Sequence, residues 1–181
     1  MKATGIVRRI DDLGRIVIPK EIRRTLRIRE GEPLEIFTET DGSVIFRKYS
    51  PVGELGETAE QFSEVLYKTS GLPIVICDKD HVIATAGFSK KEISERRISQ
   101  ELDEIAESRR LYEYKSSDRK PVKPIEGYDG TAVAISPIVA SGDLYGSVIM
   151  MNREGKEVYP SETEIKMILL VSGFLGKQLE E

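Results

Sequence analysis

The chain has 181 residues, enough for one ordinary domain or for a small and a medium domain, and its 39% hydrophobic and 32% charged residues are typical of a globular protein. Its single cysteine, Cys77, excludes an intrachain disulfide framework and a thiol-rich metal site. The amino end does not resemble a signal peptide and no apolar stretch approaches the ~20 residues that cross a bilayer, so we expect a soluble cytoplasmic protein that does not bind membranes.

Charge is distributed unevenly along the chain. Residues 1–50 carry eleven Lys/Arg against eight Asp/Glu, a net charge of +3, and residues 51–181 carry sixteen against twenty-three, a net charge of -7. A basic head on an acidic body predicts a polyanionic partner for the head, while a solvated charged surface explains the same counts equally well.

The first fifty residues predict a small β-β-α-β-β unit. Residues 4–10 and 15–18 are short strand candidates joined by an Asp-Asp-Leu-Gly turn, and Pro19 suits the start of a helix. Residues 34–46 read as a hairpin around an Asp-Gly turn. A core of this size rarely leaves more than ~3–5 kcal/mol of net stability. We therefore expect the head to share its core with a second copy, as a dimer.

Ser50-Pro51 marks a boundary between a head domain, residues 1–50, and a body domain, residues 51–181. The body predicts a first helix at 51–70, two strands, a helix, a polar loop, two central antiparallel strands and a last helix at 161–180. A Ser-x-x-Glu capping box opens that last helix.

The last helix has too much apolar surface for one face. One stripe can cover the sheet of its own domain, and the other then needs a helix of a second subunit, unless the helix is wedged within a single core. Together with the first helix, it predicts a tetramer interface formed by Leu55, Phe62, Leu66, Ile168, Leu175 and Leu179.

Catalysis finds little support in the sequence. The only histidine, His81, lies in a polar turn, and Cys77 ends an apolar strand, where it is most simply a small buried hydrophobe. Nucleophile, base and orienting group have no recognisable arrangement, and the clustered acids lack metal-loop spacing. We therefore expect neither an enzyme nor a cofactor or a metal.

The arginines of the head favour nucleic acid. Arg8 and Arg9 end the first strand candidate, Arg15 opens the second, and Arg23 and Arg24 lie on the helix. Guanidinium groups stay charged and bind phosphate or a guanine edge bidentately. Three nearby acids cannot neutralise the nine basic side chains of the first 29 residues, although some of these arginines can form ion pairs with them.

Residues 2–23, KATGIVRRIDDLGRIVIPKEIR, resemble the amino-terminal domain of AbrB-type transition-state regulators. The resemblance implies a swapped-hairpin β-barrel made by two chains, and a DNA-binding regulator of sporulation genes, activator or repressor or both, associated with the nucleoid. Arginines at the positions of Arg8, Arg15, Arg23 and Arg24 contact DNA in that family, and Arg9 and Lys2 are weaker candidates.

The remainder is similar to a GAF domain, which makes the whole chain an α+β protein with an antiparallel sheet flanked by helices in its body. GAF domains often bind small molecules, so the body is either a sensor of an unidentified small-molecule effector or an oligomerisation module. The implied partners are double-stranded, AT-rich promoter DNA and other copies of the chain. The alternative is an antitoxin-like module whose body captures a protein and whose head regulates its own promoter.

Overall fold

The computed structural model describes residues 5–89, 92–117, 120–153 and 155–180. The chain divides into two compact units, Met1–Tyr49 and Ser50–Glu181, which we call the head and the body. No helix in these described ranges is both long and apolar enough to cross a membrane.

The head contains one short helix and one hairpin. Helix α1 spans Lys20–Thr25, and strands β1, Leu34–Thr38, and β2, Val44–Lys48, pair antiparallel with Ile36 opposite Phe46. The hairpin confirms the prediction from the Asp-Gly turn, in which Gly42 has a φ of 86° that glycine adopts without steric cost.

Helix α1 ends in a Schellman motif. The Ile28 amide donates to the Arg23 carbonyl at 2.7 Å, across Arg27 in the left-handed region with a φ of 53°. The Lys48 ammonium then donates to the Arg27 carbonyl at 2.6 Å and lies 3.3 Å from the carboxylate of Glu32. The hairpin is thereby tied to the end of the helix that carries two of the predicted DNA contacts.

The two strands predicted at 4–10 and 15–18 are not strands in this chain. Residues 5–10 and 15–18 have no assigned secondary structure, and Thr4 lies outside the described residues. A strand needs a neighbouring backbone for its ladder, and between these stretches the turn supplies the bond from the Asp11 amide to the Arg15 carbonyl. Their apolar side chains are exposed, namely Ile6, Val7, Ile10, Ile16 and Val17.

The body is a five-stranded antiparallel sheet with helices on both faces. Its elements in chain order are α2 Pro51–Glu54, α3 Gly56–Ser70, β3 Ile74–Asp78, β4 Val82–Ala86, α4 Gln100–Glu107, β5 Tyr112–Glu113, β6 Ala132–Ala140, β7 Asp143–Met151 and α5 Glu162–Gln178. The strand order is β4-β3-β7-β6-β5. These antiparallel sheets confirm the predicted α+β class.

Each face of the sheet has its own apolar core. Alternate residues of the central strands point to opposite faces, so that Ile74, Ile76 and Val148 pack under α3 and α5, whereas Val75 and Ile149 pack under α4. On the first face, the buried hydroxyl groups of Ser136 on β6 and Ser172 on α5 lie 2.6 Å apart and form a hydrogen bond between strand and helix.

The helix boundaries follow local signals. Ser161 caps α5 with the predicted capping box, its hydroxyl accepting from the Glu164 amide while Glu164 accepts from the Ser161 amide. Helix α3 ends at Gly71, whose φ is 70°. The predicted first helix is in fact two, since the chain turns at Leu55 between α2 and α3.

Candidate nucleic-acid interface

The turn before Arg15 is built by one carboxylate. Asp11 Oδ1 accepts from the Leu13 amide at 3.1 Å and from the Arg15 amide at 2.7 Å, and its other oxygen accepts from Arg15 Nε at 2.8 Å. These three bonds close the turn and hold the guanidinium group of Arg15 by its Nε atom, while 69% of the Arg15 side chain remains exposed. The guanidinium is therefore positioned and still open to a ligand.

The same bonds change the acidity of Asp11. The amide and the guanidinium of Arg15 both stabilise the carboxylate and hold the pKa of Asp11 below its ordinary value of 3.8. Asp11 is therefore charged at neutral pH, and it neutralises only part of the positive charge around it.

The other predicted DNA contacts are left without a counter-charge. Arg8, Arg9 and Arg24 are exposed and Arg23 is half-buried. Among the residues that the structure describes, none of these four forms an ion pair, and Arg23 Nε is buried without a hydrogen-bond partner. A neighbouring acid thus pairs with Arg15, whereas the positive charges of the other four guanidinium groups are not neutralised by an ion pair in the described part of the head. Lys2, the sixth candidate, lies outside the described residues.

The predicted tetramer interface requires a correction. Leu66, Ile168 and Leu175 are at most 4% exposed and belong to the core under α3 and α5, so their side chains are unavailable to a second subunit. Leu55, Phe62 and Leu179 are partly buried against the same core. These residues cover the sheet because their helical stripe, and not the other one, faces it.

The outward face of the two long helices is nevertheless apolar. We call its exposed residues the helix face; they are Val65 on α3 and Leu169, Leu170 and Phe174 on α5. Phe174 packs against Phe62 with ring centroids 4.9 Å apart, which joins the two helices into one surface.

A cleft of about 520 Å³ opens on the body between three loops. Its lining is polar and of both charges, with Glu92, Asp129, Arg153 and Lys156 around the aromatic ring of Tyr128. Arg153 also donates to the Gly71 carbonyl, so this guanidinium is partly committed to holding the end of α3.

The predicted inert residues of the body lie in ordinary structural settings. Burial raises the pKa of the Cys77 thiol far above its ordinary value, and its sulfur lies 3.6 Å from the Ser147 carbonyl oxygen in the sheet. His81, just before β4, forms an isolated antiparallel β-bridge with Arg97. Within the described ranges, His, Cys, Asp and Glu form no cluster that could hold a metal ion.

Comparison with known proteins decides the family. The family model described as stage V sporulation protein T C-terminal, transcription factor, matches residues 54–180. Stage V sporulation protein T of Bacillus subtilis (strain 168) is 48% identical to this chain, over all of both chains. The chain belongs to the stage V sporulation protein T family. The family that the head motif suggested is confirmed.

The two domains of this stage V sporulation protein T family member are also matched separately. Residues 7–54 match the model described as antidote-toxin recognition MazE, bacterial antitoxin, and the B. subtilis transition state regulatory protein AbrB is 57% identical over 28% of this chain and 52% of its own length. The body is also similar in structure to the GAF domain of an Acinetobacter phosphoenolpyruvate-protein phosphotransferase. That match covers 69% of this chain and 81% of the other, with a TM-score of 0.55 and 9% sequence identity. This second likeness confirms the GAF fold of the body and no more.

Proposed function

We propose that this protein is a transcriptional regulator of sporulation genes that binds double-stranded DNA through the arginines of its head. The observation that carries the proposal is the group of four arginines without ion pairs in the described part of the head, in a chain whose family is described as a transcription factor. Lys/Arg contacts with phosphates release counterions and supply affinity for DNA of any sequence.

The roles of the arginines differ with their settings. Arg8, Arg9 and Arg24 are exposed and can bind phosphate oxygens or base edges bidentately. Arg15 is held at its Nε by Asp11, so it presents its terminal amino groups in a fixed direction. Cations that bind phosphates read no base sequence directly, so we expect the choice of site to depend mainly on the shape and deformability of the DNA.

A second copy of the chain completes the head. Ten large apolar side chains between Ile6 and Phe46 are exposed in the single chain, which leaves too little buried apolar surface for a stable unit of about fifty residues. Two copies that interleave residues 5–10 and 15–18 would supply the missing ladders and bury these side chains. This proposal agrees with the family resemblance of the motif.

The body adds a second self-association through the helix face. Exposed apolar side chains on two packed helices form a contiguous surface, which monomeric proteins rarely leave open. Helix α5 carries the ion pairs Lys166–Glu162 and Lys177–Glu180 toward its two ends. A two-fold arrangement of two copies can place residues of both charges opposite one another. If the head and the body join different pairs of subunits, the assembly is a tetramer.

The cleft of the body favours small-molecule sensing as a second function. A concave site with an aromatic wall and side chains of both charges suits a small polar molecule that carries both charges. Amino acids are the simplest probes of that kind, and a bound amino acid would raise the melting temperature of the full-length protein in a thermal-shift assay. An unchanged melting temperature with all twenty at millimolar concentration would remove this proposal.

Neither an enzyme nor an antitoxin has comparable support. The MazE match ends at residue 54, and the model of a transcription factor's C-terminal domain accounts for the rest of the chain up to residue 180. The body therefore differs from the toxin-binding tail that the antitoxin alternative requires. Its buried Cys77 with a raised pKa is unsuited to act as a nucleophile.

The test is fluorescence anisotropy of the full-length protein with duplex promoter DNA across a range of salt concentrations. We expect Arg15→Ala and Arg24→Ala each to weaken binding and to reduce the slope of log affinity against log salt by about 1 for each phosphate that is no longer bound. Arg47→Ala, a control on β2 that removes the same charge, should keep the slope of the unmodified protein.

Arg24 forms no ion pair within the described residues, so Arg24→Ala distinguishes the removal of a DNA-binding side chain from the loosening of a turn. If both variants bind like the control, the arginines of the head do not read DNA and the proposal is wrong.

A further inference from the structure

A second concentration of positive charge lies in the body, at residues 108–124, which we call the basic segment. It carries six Lys/Arg and two Asp/Glu, a net charge of +4. The rest of residues 51–181 then carries ten against twenty-one, a net charge of -11. A body that is acidic elsewhere thus gathers more than a third of its cations in seventeen residues.

The fold places the described cations of this segment along one edge of the sheet. Arg109 and Arg110 follow the end of α4, and the edge strand β5 comes directly after them. The Tyr114 amide donates to the Val133 carbonyl and the Ala132 amide to the Val122 carbonyl, so Tyr114 and Val122 both lie beside the start of β6. Lys115 directly follows Tyr114 in the chain, and Lys120 comes two residues before Val122.

A sheet edge is long compared with the spacing of phosphates. Five residues of an extended strand span about 16 Å. Successive charges of duplex DNA are only about 1.7 Å apart along its axis, so a stretch of this length faces several phosphates.

Three of these cations have no partner among the residues described. Arg109, Arg110 and Lys120 are exposed and form no ion pair there. By contrast, Lys123 is bound by Asp129 at 2.7 Å. Two of the four acids of α4 have partners outside this group of cations.

Two carboxylates of α4 show this engagement. Glu101 accepts from the Lys123 amide at 3.1 Å, and Glu104 accepts from the Gln100 side-chain amide at 3.0 Å. A merely solvated surface would mix the two signs of charge, whereas here three cations without ion pairs belong to one short segment and two nearby acids have other partners.

We propose that Arg109, Arg110 and Lys120 of the basic segment form a second contact of the protein with DNA, through backbone phosphates. The inference rests on the proposed function, because a head that binds DNA holds the body near the same duplex at high effective concentration. Under that condition, a few charge contacts that are too weak to bind DNA alone add to the affinity without reading sequence.

The test uses the full-length protein and one duplex long enough to extend beyond the site of the head. The variant Arg109→Ala/Arg110→Ala/Lys120→Ala is compared with a control that removes the same charge elsewhere in the body, outside the cleft, Lys68→Ala/Lys79→Ala/Arg97→Ala. Arg15→Ala reports on the head, and size-exclusion chromatography checks that every variant keeps its assembly.

We expect the affinity of the basic-segment variant for DNA to fall about tenfold or more at low salt, and its salt slope to be smaller by about 0.9 for each phosphate that is no longer neutralised. The control should stay close to the unmodified protein. If the basic-segment variant matches the control while Arg15→Ala weakens binding, this inference is overturned and the proposed function stands.

The reverse pattern of binding would support the second contact and contradict the proposed role of the head. Weaker binding by the basic-segment variant together with normal binding by Arg15→Ala would support the second contact and overturn the role of the head. An unmodified protein that does not bind DNA at low salt would overturn both.

Discussion

A single carboxylate organises the part of the head that we assign to DNA. Asp11 makes three hydrogen bonds within five residues, two to backbone amides and one to the guanidinium of Arg15. An Asx-type turn of this kind replaces backbone partners by a side chain and fixes the direction in which the next residue leaves. The position of Arg15 therefore depends on the charge and the rotamer of Asp11.

The turn should depend on pH only in the acid range. The folded-state pKa of Asp11 lies below 3.8, so the stabilisation from its charge is present above pH 3.8 and is lost as the pH falls through the lowered pKa. In two-dimensional NMR spectra of the full-length protein, the amides of Leu13 and Arg15 should shift together in that range and stay constant from pH 5 to pH 8.

Asp11→Asn is the matched control for this titration. An asparagine keeps an oxygen that accepts from both amides and has no charge to lose, so the joint shift should disappear in this variant. An unchanged titration in Asp11→Asn would show that another group moves these amides.

At the scale of elements, the sequence correctly predicts those helices and turns whose geometry depends on residues close together in the chain. The hairpin at 34–48 and the capping box of α5 are both local, since a short turn joins the two strands of the hairpin and the groups of the capping box lie within three residues. Apolar spacing predicts the α4 helix from Ile98 onward, and the structure starts it at Gln100 because the Ser99 hydroxyl accepts from the Leu102 amide.

The choice between the two apolar stripes of α5 is not predictable from spacing. Both stripes are apolar, and the sheet decides between them through close contacts such as the one between Gly176 and β6. The assignment of Ile168 and Leu175 to an interface was therefore wrong, and Leu170 and Phe174 remain on the outside. Among the proposed DNA contacts, the sequence predicts the arginines but not the ion pair that Arg15 alone of these arginines makes within the described part of the head.

The contact of α5 with β6 gives a prediction about stability. A Cβ atom at Gly176 would overlap the backbone carbonyl oxygen of Val139, and neither backbone can move without disturbing the sheet. We expect Gly176→Ala to lower the free energy of unfolding of the body by about 1–3 kcal/mol. Urea titration followed by tyrosine fluorescence measures it, because the chain has no tryptophan and six of its seven tyrosines lie in the body.

Gly56→Ala is the matched control in a helix. Gly56 begins α3 and has open space where a Cβ would lie, so alanine should leave the free energy of unfolding unchanged or raise it by less than about 1 kcal/mol. Equal stability of the two variants would mean that α5 can shift away from β6 at little cost.

At the scale of the whole molecule, the helix face predicts how copies assemble. Leu170 is the most exposed residue of this face, at 67%. Leu170→Glu should place a charge in the interface and convert a tetramer into a dimer held by the heads, because burying an unpaired carboxylate is costly. Sedimentation velocity of the full-length protein measures the change.

Val158→Glu provides the control for that experiment, since it adds the same charge at another exposed apolar residue of the body, outside α3 and α5. It should sediment like the unmodified protein. A Leu170→Glu variant that remains a tetramer would show that the body self-associates through another surface, or that the heads alone account for the assembly.

The open apolar stretches of the head also bear on regulation. If residues 5–18 are buried only when two chains associate, the concentration of dimeric heads grows with the square of the chain concentration as long as most chains are monomeric. Doubling a low level of synthesis would then produce about four times as many DNA-reading units. A gene switched by such heads responds to the dose of its regulator with a threshold, before any effector binds.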